Sequence, residues 1–413
     1  MRYDSYKKSG IEWVESIPEH WNIVRGKNVL ELLNRPVLDD DDIITCFRDG
    51  EVTLRKNRRE EGFTISLKEI GYQGIEPGDL VVHGMDGFAG AIGVSDSRGK
   101  ATPVLNVMGS KENKRFLMYY LRALSYRDVF MSLSTGIRVR SCDLRWNKLA
   151  VLPLIIPPRE EQDKIVEWLD EKVGRIDELV VEIKNSIQEY ELLKEGTIKK
   201  VVTKGLNVSK KYKNSGLEWM GEVPVDWEMI PLKKLYSFEK GKNAALYTQG
   251  YIGEHIGEYP VYSGQTANDG VMGRIDSYDY DIDECLFTTT VGAKVMTPKI
   301  LRGRFSLSQN CLIMKNQLNC SNRFVYYMLH PLFAYEKALI PSYMQPSLRM
   351  EDLRKYKLFL PPKDEQEKIA DYLDDKIDKI DSIIREKEKL LLDLQIYKKS
   401  IVYEAVTGER KVY

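Results

Sequence analysis

Two groups of side chains in this sequence could do chemistry on a ligand: an acid–base candidate and several clusters of basic residues. His83 lies three residues before Asp86, and such a pair could in principle move a proton. A histidine in a polar, glycine-containing stretch is more commonly a hydrogen-bonded loop residue, and we favour that interpretation. The glycine-rich run at 87–93 lacks the G-x-G-x-x-G spacing of a dinucleotide-binding turn, so it does not predict a nucleotide site.

Catalytic and metal-binding motifs are absent from the sequence. It has no Asn/Asp-Pro-Pro-Tyr/Phe motif, no G-x-x-x-x-G-K-[ST] phosphate loop and no H-E-x-x-H pair. The five cysteines are scattered without a C-x-x-C pair, which argues against a disulfide framework and against a zinc site. We therefore expect no catalytic residue, no metal and no cofactor. The longest apolar stretch, at 149–156, is far too short to span a membrane, and we expect a cytoplasmic protein.

Basic residues cluster with polar ones in two separate regions. Lys and Arg hold phosphates, and Arg, Gln and Asn read base edges. One such cluster is commonly only a solvated face, but two clusters in two dissimilar regions favour nucleic-acid recognition. The net charge is zero, with 62 basic and 62 acidic residues, so any such contact must come from local patches. The candidates are Arg55, Lys56, Arg58, Arg59, Tyr72, Gln73, Arg138, Arg140, Lys240, Lys242, Tyr262, Ser263, Gln265, Lys294, Lys299, Arg302 and Arg304.

The sequence segments that must position these residues occur twice in the chain, as an internal repeat. Residues 6–21 return at 212–227 with eight of sixteen positions identical, and residues 157–182 return at 361–386 with twelve of twenty-six identical. A weaker echo pairs KRFLMYYL (114–121) with NRFVYYML (322–329), both predicted as short helices. The stretches between, around 28–110 and 234–315, share almost nothing and contain short apolar β-type runs. Two similar halves with divergent middles therefore make up the chain.

Each half ends in a long predicted helix. Pro-Pro and acidic residues mark the helix starts, and Lys204-Gly205 and Thr407-Gly408 mark the ends. Apolar residues recur with heptad spacing in both copies, which favours packing of the two helices on each other over ordinary core packing alone. The heptad positions are Ile165, Leu169, Val173, Ile176, Val180 and Ile183 in the first helix, and Ile369, Leu373, Ile377, Ile380 and Ile384 in the second.

These motifs resemble one known family, the specificity subunits of type I restriction–modification enzymes. The matching residues are S-G-x-E-W-x-x-x-x-P-x-x-W at 9–21 and 215–227, L-P-x-x-x-P-P-x-x-E-Q-x-x-I at 152–165, and Ala-Val-Thr-Gly at 405–408. The resemblance spans essentially the whole chain. Two departures are the second copy, which reads YKLFLPP without Leu-Pro before its Pro-Pro pair, and VVTKG at 201–205, which carries an inserted Lys.

The resemblance implies an α+β fold with two globular α/β target recognition domains, joined by two long antiparallel coiled-coil helices in a pseudo-two-fold internal repeat. The implied domains are two DNA-reading domains at 1–156 and 206–360 and two coiled-coil spacers at 157–205 and 361–413. The implied partners are double-stranded DNA with a bipartite target, two methylation subunits, and restriction subunits that join through the complex, with no membrane. The chain would then be a non-catalytic DNA reader.

Two alternatives compete with this interpretation. A structural coiled-coil adaptor would join proteins without reading DNA, and it would be expected to have similar rather than divergent middles. A fused nuclease or methyltransferase would require a cofactor or metal motif, and the sequence has none.

Overall fold

A computed structural model of the protein describes residues 1–58, 69–132, 144–207, 209–265, 268–292, 294–341 and 343–413. The helices in these ranges are α1 (Lys114–Tyr126), α2 (Val129–Ser132), α3 (Trp146–Leu149), α4 (Arg159–Lys204), α5 (Leu232–Leu235), α6 (Gln249–Glu254), α7 (Asn322–Ala338), α8 (Met350–Lys355) and α9 (Lys363–Thr407). The strands of the first half are β1 (Tyr6–Ile11), β2 (Val14–Pro18), β3 (Asn22–Arg25), β4 (Leu30–Leu32), β5 (Ile44–Cys46), β6 (Val52–Leu54), β7 (Gln73–Ile75), β8 (Leu80–His83), β9 (Ile92–Val94), β10 (Gly99–Ala101), β11 (Leu105–Ser110) and β12 (Pro153–Ile156). Those of the second half are β13 (Tyr212–Asn214), β14 (Glu222–Pro224), β15 (Glu228–Pro231), β16 (Tyr236–Lys240), β17 (Ile256–Tyr262), β18 (Val271–Ile275), β19 (Tyr280–Thr289), β20 (Pro298–Leu307), β21 (Cys311–Asn316) and β22 (Lys357–Leu360).

The chain forms two compact units. Unit 1 comprises Met1–Ile183 with Lys389–Tyr413, and unit 2 comprises Lys184–Glu388. Each unit therefore contains a globular part and a segment of both long helices. The α+β fold with two long helices is as predicted from the sequence.

The two globular parts share their outer elements and differ in their central sheets. In each unit the S-G-x-E-W segment forms an antiparallel hairpin (β1–β2; β13–β14), and the next strand pairs with the strand before Pro-Pro (β3–β12; β15–β22). The central sheet of unit 1 has the order β4-β11-β8-β9, whereas that of unit 2 has six strands in the order β16-β21-β19-β20-β17-β18. The sequence repeats and the sequence divergence thus correspond to shared and unshared structure.

The short helices α1 and α7 cover these sheets at the positions that the sequence echo predicts. Asn113 accepts hydrogen bonds from the N–H groups of Arg115 and Phe116 and so caps the start of α1. Ser321 caps α7 in the same way through Phe324 N–H. Helix α1 packs against β8 and β9, and α7 packs against β19 and β20.

The long helices start and end as their sequence signals predict. Helix α4 begins directly after Pro157-Pro158 with two glutamates in its first turn, where the helix dipole favours negative charge. It ends at Lys204, and the following Gly205 has a φ of +71°, the left-handed conformation that commonly stops a helix. Helix α9 ends at Thr407, and the following Gly408 also has a left-handed conformation, with a φ of +81°.

The heptad positions lie on the buried sides of the helices. Ile165 and Leu169 are fully buried in the unit 1 core, together with Val402 and Val406 from the last turns of α9. Ile369 and Leu373 are fully buried in the unit 2 core, together with Val202 from α4. Core packing and helix-on-helix packing therefore use the same residues. The remaining positions are buried (Ile176, Ile377, Ile380) or half-buried (Val173, Val180, Ile183, Ile384).

Matching ion pairs join the two long helices within each unit. In unit 1 the Lys398 ammonium lies 2.6 Å from Asp177, and in unit 2 the Lys194 ammonium lies 2.6 Å from Asp381. The four residues occupy equivalent positions in the two copies of the repeat. In unit 1, Lys164 near the start of α4 lies 4.9 Å from the ring centroid of Tyr413, just beyond the end of α9. The helix segments in this unit therefore run antiparallel.

We predict that Gly408→Ala destabilises the protein, whereas Gly174→Ala does not. Gly408 has a left-handed backbone conformation, which is unfavourable for alanine. A Cβ atom at this position would also overlap the Pro18 ring and would lie 3.1 Å from Trp21. We expect the free energy of unfolding to fall by about 2 kcal/mol or more. Gly174 lies inside α4 with open space around it, so alanine there should raise the stability by up to ~1 kcal/mol. Urea unfolding followed by circular dichroism measures both changes, and equal effects of the two substitutions would contradict this account of the helix end.

Candidate nucleic-acid interface

The repeated Glu-Gln pair fixes each globular part to the start of its long helix. The buried Gln162 side chain accepts a hydrogen bond from Asn113 N–H at 2.9 Å and donates one to the Pro157 carbonyl at 2.9 Å. Because Asn113 caps α1, one amide joins the starts of α1 and α4. The same two bonds recur in unit 2 through Gln366, Ser321 and Pro361.

A repeated carboxylate makes a second connection about two turns further along each long helix. Asp170 accepts hydrogen bonds from the Arg115 guanidinium at 2.7 Å and from the Tyr119 hydroxyl at 2.8 Å. Burial and this carboxylate together raise the pKa of Tyr119, so the tyrosine remains a hydrogen-bond donor at neutral pH. In unit 2 the equivalent residues Asp374, Arg323 and Tyr327 make the same contacts. The divergent sheets are therefore held on their helices by shared polar contacts.

The predicted basic cluster of unit 1 follows β6 and is exposed to solvent except for Arg55, which is half-buried. Arg55 Nε donates to the Thr45 hydroxyl at 3.3 Å, and Lys56 lies 2.5 Å from Asp42, whose pKa it lowers. Arg58 lies 2.7 Å from Asp49, and its guanidinium stacks 4.3 Å from the ring centroid of Phe47. The predicted candidates Arg59, Arg138 and Arg140 lie outside the described residues.

The polar loop residues of unit 1 are used mainly for internal contacts. The Gln73 side chain donates a hydrogen bond to the Leu105 carbonyl at 3.2 Å, and the preceding residue, Tyr72, is half-buried. His83 Nδ1 accepts from the backbone N–H groups of Met85 and Asp86, at 3.2 and 3.0 Å. Burial lowers the pKa of His83. These contacts support the interpretation of His83 as a hydrogen-bonded loop residue rather than an acid–base catalyst.

The predicted basic residues on β20 of unit 2 each face an acidic residue. Lys299 pairs with Asp269, Arg302 lies 2.5 Å from Glu284, and Arg304 lies 3.0 Å from Asp281. The antiparallel register of β19 and β20 places Asp281 directly opposite Arg304. Pairing with acidic residues of β19 therefore neutralises Arg302 and Arg304 locally, and Asp269, which precedes β18, neutralises Lys299.

The remaining candidates of unit 2 lie in its loops and at the ends of strands β16 and β17. Lys242 donates to the Asp279 carbonyl at 3.0 Å and lies 4.7 Å from the ring centroid of Tyr280, while Lys240 and Lys294 are exposed. Gln265 donates to the Val271 carbonyl at 2.6 Å and also bonds Ser263 through its N–H, so its amide stabilises the loop. Tyr262 packs its ring against Phe287 and Phe305.

The carboxylate partners do not prevent these cations from meeting a phosphate. In the pair of Lys56 with Asp42 the side chains are 66% and 58% exposed, and in the pair of Arg304 with Asp281 they are 49% and 55% exposed. Exposed ion pairs of this kind contribute at most about 1 kcal/mol, so a polyanion can compete for the cation. The surfaces can thus hold phosphate, at the cost of separating weak ion pairs.

Sequence reasoning missed a further set of cations in unit 2. Lys233, Arg354, Lys355 and Lys357 line one groove of about 790 Å³, although the first is more than a hundred residues from the others. The dense spacing of basic residues in LKKL (232–235) and RKYK (354–357) was the available signal. Both segments lie outside the stretch 240–304 that holds the predicted candidates of this unit.

The long helices also expose apolar side chains to solvent. In unit 1, Val181, Leu392 and Ile396 are 57%, 57% and 58% exposed, and in unit 2, Leu192 and Leu193 are 61% and 53% exposed. No described helix is long and apolar enough to cross a membrane. In the described ranges, no group of three or more His, Cys, Asp or Glu side chains is arranged to hold a metal ion.

Comparison with known proteins relates the chain to one family. Residues 224–392 match the type I restriction modification DNA specificity domain. A putative type I specificity subunit of Mycoplasma pneumoniae is 30% identical over 54% of this chain and 81% of its own length. The putative type I restriction enzyme MjaX specificity subunit of Methanocaldococcus jannaschii is 24% identical over 99% of this chain and 97% of its own length.

Solved structures share the fold. A chain from a structure that describes complex assembly and conformational transition of the type I R-M system superimposes with a TM-score of 0.72, at 15% identity. It covers 95% of this chain and 99% of its own length. The HsdS subunit from Thermoanaerobacter tengcongensis has a TM-score of 0.51, also at 15% identity, over 99% of this chain and 100% of its own length.

We predict that Asp281→Asn strengthens binding to duplex DNA and makes it more sensitive to salt. The change removes the carboxylate opposite Arg304, so this cation can meet a phosphate without separating an ion pair, and the slope of log affinity against log salt should steepen by up to about one. Asp283→Asn is the matched control, because Asp283 is exposed on the same strand and has no cation partner among the described residues. Fluorescence anisotropy with a labelled duplex measures both, and identical slopes in the two variants would contradict a role for Arg304.

Proposed function

Because the chain belongs to the specificity subunits of type I restriction–modification enzymes, we propose that it is the non-catalytic subunit that selects the DNA sequence for its complex. The observation that carries this proposal is the duplication: equivalent helix contacts hold two different central sheets. A protein with two related but different reading surfaces suits a target made of two different half-sites. An adaptor that only joins proteins gives no reason for the sheets to differ.

Residues 1–156 and 206–360 are proposed as the two target recognition domains. Base contacts specify a sequence, whereas phosphate contacts position the protein on the duplex. The weakly paired cations after β6 and on β20 are suited to phosphates and to guanine edges. Because the two sheets differ in strand number and order, the two domains read different bases.

The helical segments 157–205 and 361–413 are proposed as the spacer between the domains. Helix α4 has 46 residues and α9 has 45, so they are about 69 Å and about 68 Å long at 1.5 Å per residue. Their sequences are slightly acidic, which suits them to proteins rather than to phosphates. Spacer length would then be a property of the helices and not of the domains.

Two methylation subunits are the proposed partners of these helices, and restriction subunits join through them. Exposed Leu, Ile and Val on the long helices offer apolar area for such docking in both units. Chemistry on the DNA belongs to those partners. We propose the cytoplasm as the location of the complex, because its substrate is DNA.

Exchanging one recognition domain tests the proposal directly. We predict that replacing residues 22–150 with the corresponding region of another specificity subunit changes one half of the methylated sequence and leaves the other half unchanged. The reason is that base-reading side chains in 228–356 keep their positions on their own sheet. The reciprocal exchange of 228–356 is the control and should change only the other half. Methylated bases are mapped by single-molecule sequencing of DNA treated with the reconstituted complex, and a change in both halves after either exchange would refute independent domains.

A further inference from the structure

A basic groove in unit 2 lies between α5, α8 and the start of β22. Lys233 on α5, Arg354 and Lys355 on α8, and Lys357 on β22 line it, and Glu351 is the acidic residue among the lining side chains. The β15–β22 pairing holds these elements together, with Pro231 opposite Lys357 in the register and Leu232 N–H donating to the Tyr356 carbonyl at 2.8 Å. Backbone hydrogen bonds therefore fix the relative positions of the segments that carry Lys233 and Lys357.

The cations of this groove have no carboxylate partner among the described residues, unlike the basic residues on β20. Lys233, Arg354, Lys355 and Lys357 are all exposed, and none forms an ion pair with a described residue. The three basic residues on β20, by contrast, are all paired. Unpaired cations held close together repel one another, and a polyanion relieves that repulsion without first displacing a carboxylate.

The basic surface continues beyond the groove. A neighbouring cavity of about 610 Å³ is lined by Lys240 and Arg349 and shares Glu351 with the groove. Lys240 and Arg349 are also exposed and without an ion-pair partner among the described residues. Six cations therefore line two cavities that share one acidic residue. Several cations in neighbouring cavities fit the regular charge of a nucleic-acid backbone better than a single anion.

Three of the four groove cations are found in one half of the chain only. At the positions equivalent to Arg354, Lys355 and Lys357, the first half has Ala150, Val151 and Pro153, whereas Lys233 corresponds to Lys27. Two copies of one partner subunit would be expected to dock on features that both halves share. A feature confined to one half, beside one recognition domain, points instead to that domain's DNA.

We propose that this groove binds the phosphate backbone of the duplex beside the half-site read by residues 206–360. The inference rests on the proposed function, because it assumes that this domain meets a specific half-site. Lysine acts as a point charge toward phosphate and carries little base information. The groove therefore sets how tightly the second domain holds DNA, and not which bases it reads.

The test compares two fourfold variants of the chain in complex with its methylation subunits. In the groove variant, Lys233→Gln, Arg354→Gln, Lys355→Gln and Lys357→Gln are combined. In the control, Lys211→Gln, Lys234→Gln, Arg274→Gln and Lys337→Gln remove the same charge from residues of unit 2 that neither line the groove nor lie on the long helices. Affinity for a duplex that carries the methylated sequence is measured from 50 to 200 mM salt, and methylated bases are mapped for each complex.

The groove variant should lose roughly two to four units from the slope of log affinity against log salt, since each phosphate contact contributes about 0.9. If three contacts are lost, the fall in affinity between 50 and 200 mM salt should be roughly 40-fold smaller in the variant than in the wild type. The methylated sequence should stay unchanged, and the control should keep the wild-type slope. Single variants K233Q and K357Q, each expected to lower the slope by about one, keep the test valid if the fourfold variant does not fold.

Three outcomes would overturn the proposal. An unchanged slope would show that the groove does not meet phosphates, and an altered methylated sequence would show that it reads bases. Loss of the methylation subunits with an unchanged slope would make the groove a protein-docking site. Failure of the wild-type complex to prefer any sequence would count against the proposed function itself, and is thus distinguished from failure of the groove.

Discussion

The antiparallel pairing of two long helices is the constraint on which the rest of this structure depends. A helix of 45 residues with an apolar side needs a partner, since its stability in water comes mainly from burying that side. In each unit the start of one helix and the end of the other supply this burial, together with the core of one globular part. The same heptad residues therefore stabilise the helix pair and anchor the globular part that is proposed to read DNA.

Polar contacts near the starts of the long helices allow the same helical scaffold to hold different central sheets. Gln162 and Gln366 satisfy buried backbone groups in the same geometry, and Asp170 and Asp374 each hold an arginine and a tyrosine from the short helix above them. Leaving a buried amide without its partners costs ~1–3 kcal/mol, so these positions constrain the sequence strongly. The sheets beyond these contacts are free to diverge, which is what a family of readers for different sequences requires.

The repeats, the long helices and the short helices α1 and α7 could be predicted because their signals are local. Heptad spacing, Pro-Pro starts and glycine ends act within a few residues of one another. The electrostatics of the candidate interface could not be predicted in this way. Asp281 meets Arg304 only through the register of β19 and β20, and Lys233 reaches the groove only through the pairing of β15 with β22. Such long-range partners are set by the fold, and one sequence does not reveal them.

Lengthening the helix pair tests the central claim most directly. The pair formed by Asp177 and Lys398 places Glu182 opposite Asp393, so four residues are inserted after Glu182 and four between Leu392 and Asp393. Each insertion adds about one turn, or ~6 Å of rise. The account predicts that mapped methylation shows the same two half-sites with a spacer longer by about one or two base pairs, at ~3.4 Å per pair. An unchanged spacer in an assembled complex with wild-type methylation activity would contradict it.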